Sequence, residues 1–177
     1  IKDDQKPTID KQNIVHIDWR SFYPVMCSKM EIYKTKENVD RYTSIIQGRF
    51  KQKPLIKKMR AEGVPEDDPE LARARWIEAG FKFILNNATG AGNTHKKYAL
   101  LPVDNKTLSM RLVGNMHIWC LGQRLTQAGA YVISTNTDGL YICNLTVDES
   151  QKVIDEYIKE YGMGVDPEPL KRFINRD

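Results

Sequence analysis

Cysteine is scarce in this chain. Three occur in 177 residues, Cys27, Cys120 and Cys143, odd in number and widely spaced. That excludes a disulfide-framed secreted domain, and no pair has zinc-site spacing. Reduced, mostly buried thiols in a cytoplasmic protein are expected instead. Histidine is as rare: His16, His95 and His117 show no metal-ligand spacing, so core or surface roles are expected for them. No apolar run approaches the length of a membrane span, and no membrane partner is expected. The sequence shows no signal peptide, and because it opens on Ile rather than Met it reads as an excised piece. Internal repeats and low-complexity tracts are missing too.

A strong charge of one sign is also lacking. Lys and Arg total 27 against 23 Asp and Glu, a formal charge of +4, which leans only slightly towards a polyanionic partner. Distribution says more than the sum. Arg49, Lys51, Lys53, Lys57, Lys58 and Arg60 gather in one segment, and Lys96-Lys97 form a second basic spot. Either is as well explained by a solvated helix face as by phosphate binding until other residues are weighed.

The chain is long enough for one well-cored domain, or for a core with a protruding subdomain. Ile14–Asp18 reads as a first strand, and Pro24 suits the start of a short helix over residues 25–33. Thr43 is the expected cap of a helix running to about Arg60, with Pro54 kinking it or marking a late start. Ala61-Glu62-Gly63-Val64-Pro65 breaks it. A second helix is expected over residues 69–87, with Leu71, Ala74, Ile77, Phe81 and Ile84 at helical spacing, making an antiparallel helical hairpin. Residues 88–93 should be a flexible turn and residues 98–103 a short strand. Residues 108–127 should be a long helix stopped by Gly129. Residues 131–136 and 139–145 read as strands, residues 148–161 as a last helix, and the rest as a charged, Pro-bearing tail. The fold class is therefore α+β: a small antiparallel sheet covered by helices, with the helical hairpin protruding.

The stretch with most chemical content is Ser134-Thr135-Asn136-Thr137-Asp138-Gly139, the polar turn between the last two strands. Asp138-Gly139 alone is an ordinary turn pair, since Gly supplies unusual dihedrals. A second carboxylate, Asp18, ends the first strand. A strand ending in Asp beside a hairpin with Asp at its turn makes a two-carboxylate site for hard divalent cations. Two-metal phosphoryl or nucleotidyl transfer requires such a pair.

Three motifs stand in order: Asp18-x-x-Ser21-Phe22-Tyr23-Pro24, Lys82-x-x-x-Asn86-Asn87-x-Thr89-Gly90, and Asn136-Thr137-Asp138-Gly139. Together they resemble the motifs of family B DNA polymerases, in particular the compact phage-type members. The resemblance covers roughly residues 12–145. It implies palm for residues 1–42, a fingers hairpin for 43–90, and palm again for 91–177 with the thumb absent or truncated. Asp18 and Asp138 would then be the catalytic ligands of two Mg²⁺ ions, with Mn²⁺ as a substitute. The backbone from Trp19 to Phe22, Ser21 included, would lie by the dNTP triphosphate, and Tyr23 would sit under the sugar and exclude a 2′-hydroxyl. Lys82 would reach the phosphates and Asn86 the nascent base pair. The first fingers helix would add another cation: Arg49, Lys53 and Lys57 share a face, Lys53 and Lys57 fit the family pattern best, and the choice stays open. Implied partners are primer–template DNA, dNTP, and the missing thumb and exonuclease parts of a larger polymerase or separate replication proteins. The implied location is the cytoplasm of a bacterial cell or phage-infected host.

This chain departs from the family pattern at three positions. Asn136 stands in place of an acid, Gly139 in place of Ser, and Thr89 in place of Tyr. No exonuclease-like segment precedes residue 14, and little follows residue 145 to make a thumb. Two other readings accompany the polymerase: a catalytically silent nucleic-acid or nucleotide binding module of polymerase descent, and another palm-type nucleotidyltransferase such as a primase or reverse transcriptase.

Overall fold

Ile14–Trp19 forms strand β1, the axis of a four-stranded sheet in the computed structural model, which describes residues 13–33, 35–91, 106–171 and 173. β2 (Tyr131–Thr135) and β3 (Gly139–Cys143) make the expected hairpin, and β4 is Val165–Leu170. The order is β2-β3-β1-β4, antiparallel throughout, so the chain is α+β as its pattern predicts. Helices are α1 (Phe22–Lys29), α2 (Lys36–Ala61), α3 (Pro69–Ala91), α4 (Lys106–Gln127) and α5 (Val147–Tyr161).

The chain divides into two compact units: residues 1–22 with 111–177, and residues 23–110. In the first, alternate residues of β1 face opposite ways. Val15, Ile17 and Trp19 are buried with Leu140 and Ile142 of β3. Trp19 Nε1 donates to Tyr157 Oη of α5 at 3.2 Å, and the Cβ site of Gly122 in α4 lies 3.9 Å from Leu140, so helices cover this face. His16 and Asp18 belong to the other face, with Tyr141 opposite His16 and Gly139 opposite Asp18. α5 starts with a reciprocal capping box between Thr146 and Glu149 and ends at Gly162 in the left-handed conformation.

β4 corrects the expectation of a charged tail. Pro167 and Pro169 pair with Ile17 and Val15. Both have the same register parity, at which the backbone nitrogen turns away from β1, and edge strands tolerate proline there. The alternation of proline with Asp166 and Glu168 is thus a strand pattern.

In the second unit α2 and α3 pack as the expected hairpin, through Tyr42, Ile46, Leu71, Ala74 and Leu85. Gly48 permits the contact: a Cβ there would lie 2.7 Å from Phe81 Cζ. Several helix limits differ from expectation, α1 among them, which spans Phe22–Lys29 and not residues 25–33. α2 begins at Lys36, where Thr35 accepts from Asn38 N at 3.3 Å, while Thr43 bonds Ser28 at 2.6 Å instead. The helix continues through Pro54, its hairpin packing outweighing the lost N–H bond. α3 continues through Thr89 and Gly90 to Ala91, with Thr89 Oγ1 donating to Leu85 O at 2.8 Å. Asp68 caps it by accepting from Glu70 N and Leu71 N at 2.9 and 3.0 Å. The strand expected over 98–103, Lys96-Lys97 and His95 lie outside the described residues.

All three cysteines are free, with Cys27 and Cys143 buried and burial pushing both thiols up. Among the described residues no helix is long and apolar enough to cross a membrane.

Candidate active site

The two acids singled out in the sequence end neighbouring strands. Asp18 pairs with Gly139 across β1 and β3, and Trp19 N donates to Asp138 O at 3.1 Å. The turn carrying Asp138 is closed twice: Asn136 N donates to Gly139 O at 3.0 Å, and Asp138 N donates to Asn136 Oδ1 at 3.1 Å. Asn136, which stands where the resemblance implies an acid, thus accepts from the backbone of the residue it precedes by two, as Asx turns do. Thr137, the middle of the turn, is exposed, and Asp138 is half-buried.

Gly139 is required by space and not by dihedrals, since its φ is not positive. A Cβ there would lie 3.0 Å from His16 Nε2, 3.0 Å from Ile17 O and 3.1 Å from Asn136 Oδ1. His16 stacks on Tyr141, with centroids 4.5 Å apart and planes at 15°. The ring therefore occupies space that a serine side chain at position 139 would need. Nothing in the isolated sequence pairs His16 with Gly139; only the strand register does.

Downstream of Asp18 the backbone is pinned on both sides. Trp19 N is bound to Asp138, and Arg20 N donates to Gly164 O at 2.9 Å. The Arg20 guanidinium pairs with Asp166, Nε to Oδ2 at 2.6 Å, and that bond chiefly raises its pKa against a smaller effect of burial. Ser21 then takes φ 53°, a left-handed backbone costly for a residue with a Cβ, directly before α1. Phe22 is buried, its ring 5.3 Å from that of Trp19 and against Gly114 of α4. Sequence reading placed the Trp19 backbone by the triphosphate but not its anchoring role: its N–H holds Asp138 O while its indole is anchored in the core by Tyr157, whose hydroxyl also bonds His117 Nδ1 at 2.7 Å. Burial raises the Tyr157 pKa, keeping its hydroxyl neutral.

The remaining candidates belong to the helical unit. Tyr23, the second residue of α1, is half-buried and precedes the buried Pro24. Arg49 is buried, its Nε 2.8 Å from Glu78 Oε1 of α3. Lys53 and Lys57, one and two turns further along α2, are exposed, as are Lys82 and Asn86 on α3. Thr89, in place of the aromatic that the resemblance implies, bonds Tyr42 Oη at 3.1 Å.

The class defined by these elements is a polymerase-like α+β fold. The chain is similar to the solved structure of the family B DNA polymerase from the hyperthermophilic archaeon Pyrobaculum calidifontis, with a TM-score of 0.58 and 14% identity. The match covers 89% of this chain and 23% of that one, so the chain spans about a quarter of that polymerase's length. At this identity the likeness concerns the fold. No protein-family model and no curated protein matches the sequence.

Proposed function

We propose that the chain is the palm and fingers portion of a template-directed DNA polymerase that adds dNTPs to a primer 3′-hydroxyl. The observation that carries this reading is the strand register that sets Asp18 opposite Gly139, next to the turn carrying Asp138, with Trp19 N bonded to Asp138 O.

The donor chemistry fits Mg²⁺ or Mn²⁺. Two carboxylates are hard oxygen ligands, and such ions complete their shells with substrate phosphates and water. Among the described residues no group of three or more His, Cys, Asp or Glu could hold a metal ion, so substrate phosphates and water would have to supply the ligands beyond the two acids. When bound, the metal supplies charge neutralisation on the phosphates and a more acidic 3′-hydroxyl. Asp18 and Asp138 hold it, and the backbone from Trp19 to Phe22, fixed by the bonds of Trp19 N and Arg20 N, lies by the triphosphate. Tyr23 forms the wall beneath the sugar. Lys82 neutralises phosphate charge, aided by Lys53 and Lys57, while Arg49 keeps their helix in register through Glu78. Asn86 faces the nascent base pair. Primer–template DNA and the remaining parts of a larger polymerase, or separate replication proteins, complete the assembly.

The test is primer extension with Mg²⁺ and dNTPs by the wild-type chain and by Asp18→Asn, with Mn²⁺ binding followed by calorimetry. Metal-dependent extension lost in the variant is expected. Absence of extension, together with equal Mn²⁺ binding by wild type and variant, would sink the proposal.

A further inference from the structure

Two large aromatic side chains of α3 take no part in the helical hairpin's core: Trp76 is 79% exposed and Phe83 71%. They are seven residues apart, hence on one face and about 10 Å apart along the axis. Gly80 lies between them. A Cβ at Gly80 would meet nothing within 4 Å, whereas one at Gly48 would strike Phe81. Packing therefore explains Gly48 but not Gly80, and glycine inside an exposed helix weakens it relative to alanine. Its effect on this face is to leave bare backbone as a floor between the two rings.

The charge on the same helix leans towards cations. Glu70 stands in its first turn, Arg75 pairs with Glu66, and beyond Glu70 the one acid up to Asn87 is Glu78, turned towards Arg49 with its side chain 18% exposed. Arg73 and Lys82 are exposed and flank the aromatic stripe on opposite sides, by helical spacing. The pattern is thus rings with an open floor and cations beside them.

We infer that this face of α3 is a stacking platform for single-stranded nucleic acid. A ring stacks on the face of any base, and flanking cations track the phosphates; only an unpaired strand offers both. Ile84, 47% exposed, adds aliphatic surface beside Phe83, so a protein partner is the competing outcome that the test below separates. Duplex DNA buries its base faces. This inference goes beyond the polymerase proposal, because it needs neither the metal nor Asp138.

The probe is a labelled oligo(dT) of about 20 nucleotides, longer than a common single-strand site, titrated by anisotropy in EDTA with the whole chain. A duplex of equal length is the control. Wild type should prefer the single strand, and Trp76→Ala or Phe83→Ala should each weaken it by about tenfold or more. Arg73→Ala should reduce the salt slope by about 0.7, the value of one single-strand phosphate contact. Gly80→Leu should weaken binding while leaving the melting temperature unchanged or higher. Lys152→Ala on α5 should bind like wild type, and because the assay runs in EDTA without dNTP its result is separate from the fate of the catalytic proposal. Unchanged oligo(dT) affinity in Trp76→Ala and Phe83→Ala would overturn the inference. So would a dimer that Trp76→Ala splits, by light scattering, with oligonucleotide binding intact: the face would then join two copies.

Discussion

The sheet unit and the helical unit create their candidate sites by different physics. In the sheet unit the key residues are distant in sequence and are gathered by strand register, with Asp18 opposite Gly139 and His16 opposite Tyr141. Acids predominate on that face, and the site tolerates little change in volume. In the helical unit the key residues lie one or two turns apart, Arg49, Lys53 and Lys57 on α2 and Lys82 and Asn86 on α3. Cations predominate, and most of these side chains reach solvent. The contrast teaches that a register-built site is sensitive to single atoms, while a period-built face loses function gradually as residues are removed.

The largest effect should come from the register-built site. Asp138→Asn removes a charged metal ligand, and the polymerase proposal requires a fall in extension rate of ~10³-fold or more with an unchanged circular dichroism spectrum. Near-wild-type extension would break the comparison at its root. Tyr23→Ala comes next. A wall under the sugar excludes a 2′-hydroxyl by overlap, so single-nucleotide insertion should show ribonucleotide discrimination falling by ~10²-fold, about 3 kcal/mol. An unchanged ratio would make Tyr23 a core aromatic.

A third experiment asks whether Arg49 behaves like its helical neighbours. Arg49→Ala leaves Glu78 poorly hydrated and without this partner, which should cost about 3 kcal/mol in thermal or urea unfolding. Lys53→Ala and Lys57→Ala should stay within about 0.5 kcal/mol of wild type and instead weaken dNTP use. Arg49→Met with Glu78→Leu should restore most of the loss. Equal, small effects at all three positions would make the α2 face uniform.

The smallest effect tests the closeness of the sheet site. Gly139→Ala forces a methyl against His16, Ile17 and Asn136, which should destabilise by about 1–2 kcal/mol by overpacking. His16→Ala in the same chain should relieve part of that cost, measured as a coupling in a double-mutant cycle. Additive losses would show that the ring yields freely.

Much of this molecule is local and was therefore legible in the residues. The hairpin of β2 and β3, the turn at Asp138, α5, the stop at Gly129 and the pairing of two long helices all follow from period and punctuation within a few residues. The order of the three motifs raised the polymerase reading, and the fold accords with it. What sequence could not decide was set by contacts between distant segments. Thr35 rather than Thr43 caps α2 because Thr43 bonds Ser28, and packing carries that helix through Pro54. The Pro-bearing tail becomes β4 only because β1 offers an edge whose register matches its alternation. Gly139 looked like a turn glycine and is instead a glycine of close approach, since the atoms it must avoid belong to β1 and Asn136. Arg49 read as one of three cations on a shared face, with Lys53 and Lys57 the better fit, yet the facing helix supplies Glu78 and takes it out of solvent. Short-range periodicity fixes which elements form; which side chains are left open to do chemistry depends on what the fold brings opposite them.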